Sequence, residues 1–173
     1  MLPTIPAAVL LSAVALAACN PTYNWREVPA GPAAVRAMLP CKPDKAVRQV
    51  TMAGRQVELD GMGCDAGGAT FAVFHADVGD AGRSGEALAQ WKQATLANMK
   101  AATVQERPFL PPGGLAVRES LQVVAAGRRP DGSSVESQAA YFARGSHVFQ
   151  AVIYASKLRA EQTEPFFSGL RFQ

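Results

Sequence analysis

The stretch SVESQAAYFARGSHVFQAVIYAS, residues 134–156, decides the fold. We predict two strands within it, over residues 134–144 and 147–156, with only Gly145 and Ser146 between them. A parallel crossover needs a dozen or more residues, so a link this short joins antiparallel strands. The stretch therefore predicts an antiparallel hairpin.

A further strand over residues 115–125 extends this hairpin into a meander. Turn residues over 127–132, including Pro130-Asp131-Gly132, connect it to the next strand. Before it, residues 108–114 contain three prolines and two glycines, which exclude regular structure and indicate a surface crossover.

The amino-terminal half predicts another set of strands. Residues 33–39 form a first strand, and residues 44–52 and 56–63 alternate around Ala53-Gly54 as a hairpin. After a glycine turn, residues 69–78 are rich in side chains that suit a half-buried strand.

Two helices complete the predicted fold. Over residues 85–102, Leu88, Trp91, Thr95 and Met99 recur at spacings of three and four, which indicates a core-facing stripe. A ligand role for Trp91 is the alternative to packing. A short helix over residues 160–168 ends the chain. The fold class is α+β: an antiparallel sheet of about six to seven strands, covered by one long central helix and a short C-terminal helix.

The charge balance argues against a nucleic-acid partner. The chain has 17 Lys and Arg against 14 Asp and Glu, and these charges are scattered along it. Proteins that bind nucleic acid concentrate basic residues on one face. We therefore expect no nucleic-acid binding.

Leu16-Ala17-Ala18-Cys19 closes an apolar run that begins at Ile5. The run has 14 residues, whereas a helix needs about 20 to span a bilayer. Its length and its closing alanines suit a signal peptide. The motif resembles the lipobox of bacterial lipoproteins.

This resemblance implies a lipid anchor on Cys19, with residues 1–18 as a cleaved signal peptide. More than one acyl chain gives a stable attachment. Asn20 follows where Asp would favour the inner membrane, so we expect the bacterial outer membrane, facing the periplasm. Residues 1–18 contain no Lys or Arg, and we expect that the true start lies upstream. Residues 19–32 would be a tether, and residues 33–173 a single domain.

If Cys19 carries lipid, Cys41 and Cys64 remain in an oxidising compartment. An even number of cysteines there predicts a disulfide. Two free thiols, a redox pair and a metal site are the alternatives. Redox pairs usually show Cys-x-x-Cys, and zinc sites need about four ligands.

His75 and Asp77 stand two apart on a predicted strand and therefore share a face. His147 opens another strand, so the three could form a metal site if the strands are neighbours. The alternative is a hydrogen-bonded strand histidine and an exposed acid. Residues 61–68 lack the strand–helix context of a phosphate loop. We assign no catalytic residue, metal ligand or cofactor.

A second resemblance concerns the mature domain. Leu39-Pro40-Cys41-Lys42-Pro43, the hairpin at Gly54, the central helix and the closing run FFSGLR, residues 166–171, resemble small proteobacterial lipoproteins with a PsbP-like fold. That family departs from this chain at Cys41, where it has a small residue. The resemblance implies binding or assembly and supplies no catalytic residue.

Together these patterns predict a membrane-anchored envelope lipoprotein with a non-enzymatic binding or assembly domain. Its partner would be an envelope protein, a cell-wall component or a small apolar ligand, held by residues 108–114 or by a sheet face. The alternative is a metal-assisted hydrolase using His75, Asp77 and His147. The distance between the two histidines tests that alternative.

Overall fold

The computed structural model describes residues 21–31 and 35–173. These residues form an α+β fold, as predicted. The strands are β1 Arg26–Ala30, β2 Val35–Leu39, β3 Asp44–Met52, β4 Arg55–Ala66, β5 Ala69–Asp77, β6 Thr103–Pro108, β7 Leu121–Arg128, β8 Ser134–Arg144, β9 His147–Ala155 and β10 Arg171–Phe172. The helices are α1 Ser84–Asn98 and α2 Ala160–Ser168.

The larger sheet has seven strands in the order β3-β4-β5-β9-β8-β7-β6. Every neighbouring pair is antiparallel, which confirms the predicted meander and the hairpin at Gly54. Strands β5 and β9 join the two halves of the chain at the centre. Their register places Asp77 directly opposite His147.

The smaller sheet has the order β1-β2-β10. Strand β1 lies within the segment predicted as a tether, so residues 26–30 pack on the domain. Pro29 is tolerated because β1 is an edge strand. Trp25 also joins the domain, since its ring meets that of Phe71 edge-on with centroids 5.8 Å apart.

The large sheet buries apolar side chains on both faces. One face, with Phe71, Phe142 and Phe149, is covered by the small sheet and by α2. The opposite face, with Tyr141 and other residues, packs against α1. The molecule therefore has three layers, with a fully covered strand pair at its centre.

The connection between α1 and the meander differs from the sequence-based expectation. Helix α1 ends at Asn98, four residues before its predicted end, and residues 103–108 form the unpredicted edge strand β6. Residues 109–120 then link β6 to its antiparallel neighbour β7, so they form a long hairpin connection and the predicted crossover is wrong. The polar sequence of β6 leaves all six of its residues exposed, which hides the usual strand pattern.

Candidate functional site

The predicted disulfide is present. Cys41 follows β2 and is bonded to Cys64 in β4, with the two Cα atoms 6.0 Å apart. Because β2 belongs to the small sheet and β4 to the large one, the bond ties the two sheets together. The bond excludes two free thiols and a thiolate metal site for this pair in the described structure.

The predicted lipidation site, Cys19, and the leader over residues 1–18 lie outside the described residues. Over residues 21–31 and 35–173, neither helix is both long and apolar enough to cross a bilayer.

The two histidines meet at one end of the large sheet. His75 in β5 and His147 in β9 face the same side, and their rings stack with centroids 5.1 Å apart. His75 Nε2 lies 2.9 Å from His147 Nδ1, within hydrogen-bond distance. The register of β5 and β9 produces this contact between residues 72 positions apart in sequence.

Two carboxylates flank the histidine pair. Asp60 Oδ2 lies 3.4 Å from His75 Nδ1 and holds the second nitrogen of that ring. Asp77 is directed elsewhere, since its Oδ1 accepts a hydrogen bond from the Gly79 backbone N–H at 2.8 Å. That bond is the main cause of the lowered pKa of Asp77. Burial lowers the pKa of His75, and the hydrogen bond with Asp60 opposes this effect.

The surroundings of His75 are tightly packed. Only 4% of the residue is exposed, and the β1–β2 turn places Gly31 directly over the ring. A cavity of about 360 Å³ beside it is lined by Asp60, Lys45 and other residues of β1, β3, β4 and β5. The described part of the chain contains no group of three or more His, Cys, Asp and Glu side chains placed to hold a metal ion. His75, Asp77 and His147 are thus brought together without forming a three-ligand site.

A larger cleft lies on the opposite face of the large sheet, beneath α1. Its volume is about 580 Å³. The first half of α1 is anchored, since Ala87 and Leu88 are fully buried. The second half stands further off, and Trp91 and Thr95 are only half-buried. The cleft occupies the space between this second half and the sheet.

The interior of this α1 cleft is largely aromatic and aliphatic. The Trp91 ring meets Phe74 edge-on with centroids 6.4 Å apart. The other apolar side chains that line it are Val50, Met52, Leu59, Ala94, Met99, Pro130, Val135 and Tyr154. Trp91 was expected to pack on the core, and it does so while also forming a wall of the cleft.

The charged lining residues of the α1 cleft all carry the same sign. Arg48 comes from β3, and Arg128 and Arg129 come from the end of β7 and the turn that follows. None of the residues that line the cleft is Asp or Glu. Within the described ranges, none of these three arginines forms an ion pair. The cleft therefore combines an apolar interior with three arginines outside any ion pair, of which Arg129 has the exposed Asp131 carboxylate nearby.

Two glutamines of the cleft are hydrogen-bonded within the protein. Gln150 Nε2 donates to Thr95 Oγ1 at 3.0 Å and to the Tyr141 hydroxyl at 2.9 Å. Gln90 Oε1 accepts from the Ala53 backbone N–H at 2.9 Å. Burial raises the pKa of Tyr154 to about 12, so this phenol is neutral over the physiological range. These bonds hold the walls of the cleft in place.

The loop over residues 108–114, expected as a binding surface, is fixed to the carboxyl terminus. Phe172 donates its backbone N–H to Pro112 O at 2.9 Å, and Gly113 packs against the Phe172 side chain. Leu110 is 55% exposed at the tip. The loop therefore offers the exposed Leu110 side chain, and its Pro108 and Phe109 line a second, more open cavity of about 670 Å³ beside α2.

Sequence reasoning considered a contact between the two histidines only on the condition that their strands are neighbours, and it missed the α1 cleft. The lining of the cleft is drawn from α1 and from six strands of the large sheet, together with the turn after β7, and no local motif marks it. The one available signal was the pair Arg128-Arg129, which sequence alone assigns to a turn. No protein-family model matches the chain, and no curated protein does so either.

Proposed function

We propose that this protein is a lipid-anchored protein of the bacterial envelope whose domain binds an anionic amphiphile in the α1 cleft. The ligand class is a molecule with an apolar body and one acidic head group, such as a long-chain carboxylic acid. The domain acts as a non-enzymatic binding module.

The anchor rests on the sequence Leu16-Ala17-Ala18-Cys19. Mass analysis of the mature amino terminus tests it. We expect Cys19 as the first residue, carrying a diacylglyceryl group and an acylated amine. An unmodified Cys19 or a retained leader would contradict the anchor. The outer membrane is the expected location because Asn20, and not Asp, follows the cysteine.

The main support for this ligand class is the lining of the apolar cleft, whose charged residues are three arginines and no carboxylate. Small-molecule sites are typically concave, of about 300–1,000 Å³, and mostly apolar with few polar groups. The α1 cleft matches this description in size and lining. Arginine binds carboxylate and phosphate oxygens with paired hydrogen bonds, so the charge favours an acidic head group.

Photolabelling of the full chain in phosphatidylcholine vesicles tests the proposal. The probe is a long-chain fatty acid that carries a diazirine in its chain. We expect the unmodified protein to be labelled. Ala94→Trp should suppress the labelling, because Ala94 lines the cleft and a larger side chain fills it.

Ala97→Trp is the matched control. Ala97 lies on the same helix, is exposed and does not line the cleft. Both variants add the same side chain at an exposed position of α1, so they should differ only if the cleft is the binding site. Equal labelling of the two variants would contradict the proposal.

The acidic head group is tested by charge removal. Arg48→Gln together with Arg129→Gln should weaken binding of the fatty acid about three- to tenfold, as expected for partly exposed charge pairs. Binding of the alcohol with the same chain should stay unchanged. If both probes weaken equally, the arginines do not contact a head group.

A protein or cell-wall partner remains the competing prediction. The exposed apolar side chain of Leu110 would be its contact. Failure of the fatty-acid probe, combined with stable co-purification of an envelope protein that Leu110→Ser abolishes, would favour that partner over the amphiphile.

A further inference from the structure

The histidine pair is separate from the α1 cleft, since it lies on the opposite face of the large sheet. His75 and His147 are the two histidines of the chain. The fold brings their nitrogens within 2.9 Å of each other and leaves His147 half-buried near the end of β9. A binding function for the α1 cleft does not use either side chain.

We propose that His75 Nε2 and His147 Nδ1 together bind one divalent transition-metal ion, Zn²⁺ or Cu²⁺. Neutral imidazole nitrogen is a preferred ligand of both ions. Two nitrogens bound to one tetrahedral zinc at about 2.0–2.1 Å lie about 3.3 Å apart. The observed separation of 2.9 Å therefore needs to widen by about 0.4 Å.

Asp60 prepares His75 for this role. Its carboxylate accepts a hydrogen bond from Nδ1–H of His75, which leaves the lone pair of Nε2 directed at His147. A carboxylate on the second nitrogen of a ligating histidine is a common feature of metal sites, because it fixes the tautomer and the ring orientation. His147 supplies the matching lone pair when its proton is carried on Nε2.

The two rings differ in burial in a way that suits metal entry. His75 is held between Gly31 and the ring of Phe149, whose centroid lies 4.9 Å away. His147 is less buried and follows the two-residue turn at Gly145-Ser146. A small rotation of His147 opens the pair, and water completes the coordination. Asp77, opposite His147, adds negative charge beside the bound cation.

This site has two protein ligands, fewer than the four of structural zinc sites and the three of catalytic ones, so it is proposed as a binding site completed by water and not as the centre of a hydrolase. The nearby Asp77 carboxylate is already bonded to Gly79 N–H. The Asp60 carboxylate shares its cavity with the positively charged Lys45. Neither Asp77 nor Asp60 is proposed as a third ligand of the metal ion.

Metal titration of the full chain, purified in detergent without an affinity tag, tests the proposal. Calorimetry with Zn²⁺ should give one equivalent per chain. Electron paramagnetic resonance with Cu²⁺ should show coupling to two imidazole nitrogens. Because the chain has two histidines, that spectrum identifies the ligands without any variant.

Variants give an independent measurement. His147→Gln should abolish the site, and Asp60→Asn should weaken it about ten- to a hundredfold through His75. Asp131→Asn removes a fully exposed turn carboxylate away from the pair and should change nothing. Circular dichroism establishes that each variant is folded.

Three results would overturn the proposal. One is the absence of binding at a tenfold excess of either ion. Another is a Cu²⁺ spectrum with one imidazole nitrogen or none. The third is unchanged affinity in folded His147→Gln.

Discussion

The backbone of Gly31 packs against the ring of His75. It adopts φ of +67°, and a Cβ atom built on it would lie 2.7 Å from His75 Cγ. A side chain here meets two penalties, the left-handed backbone and the clash with a buried ring. Glycine is therefore required at this turn by the position of His75.

Gly31→Ala should lower the free energy of unfolding by about 2–4 kcal/mol, from about 1 kcal/mol of backbone strain and about 1–3 kcal/mol of overpacking. Gly54→Ala is the control, since Gly54 has φ of +71° with open space around its Cβ position. It should cost about 1 kcal/mol. Urea unfolding measures the free energy of unfolding of both variants. Equal losses would show that the His75 ring moves aside without a loss of stability.

Tyr154 reports on the α1 cleft because burial raises the pKa of its phenol to about 12. Below pH 10 the phenol is neutral in both folded and unfolded chains, and its contribution to stability is complete. As the pH rises from about 10 to 12, the unfolded chain ionises first. Stability should therefore fall over this range, by at most about 2 kcal/mol for this group.

Tyr154→Phe provides the matching measurement. The variant should lose less stability than the unmodified protein between pH 10 and 12. Its absorbance titration should lack one high-pKa tyrosinate. Identical pH profiles for the two proteins would mean that the cleft is wet enough to leave Tyr154 unperturbed.

The disulfide joins the two sheets and should stabilise the small one most. The bond closes a loop with a sequence separation of 23, for which chain entropy predicts about 3 kcal/mol. The double variant Cys41→Ser/Cys64→Ser avoids a lone thiol. We expect its free energy of unfolding to fall by about 2–4 kcal/mol and the amide protons of β2 to exchange faster. Unchanged exchange in β2 would contradict this.

Elements with a clear period were predictable from sequence, and elements without one were not. Strands β8 and β9 have a two-residue link, and α2 was predicted over the residues it occupies. Strand β6 was missed because polar side chains cover both of its faces. Strand β7 was placed too early because residues 115–120 are apolar in part but form turns, with Ser120 N–H donating to Val117 O.

At the scale of the whole molecule, the histidine pair and the α1 cleft lie on opposite faces of the large sheet. The shared face of His75 and Asp77 was predictable from the sequence, because a strand face can be read from a spacing of two. The neighbour relation between β5 and β9 was not, since it depends on how the halves of the chain meet. The α1 cleft depends on where a helix stops being buried, and that is set by packing along its whole length.

The most direct test of the amphiphile proposal is the position of the photolabel. After labelling of the unmodified protein with the diazirine fatty acid, fragment mass spectrometry locates the modified residues. We expect labels on α1 residues that face the cleft, such as Trp91 or Ala94, and on the strands opposite them. Labels confined to residues 109–120 or to the α2 side of the sheet would contradict binding in the α1 cleft.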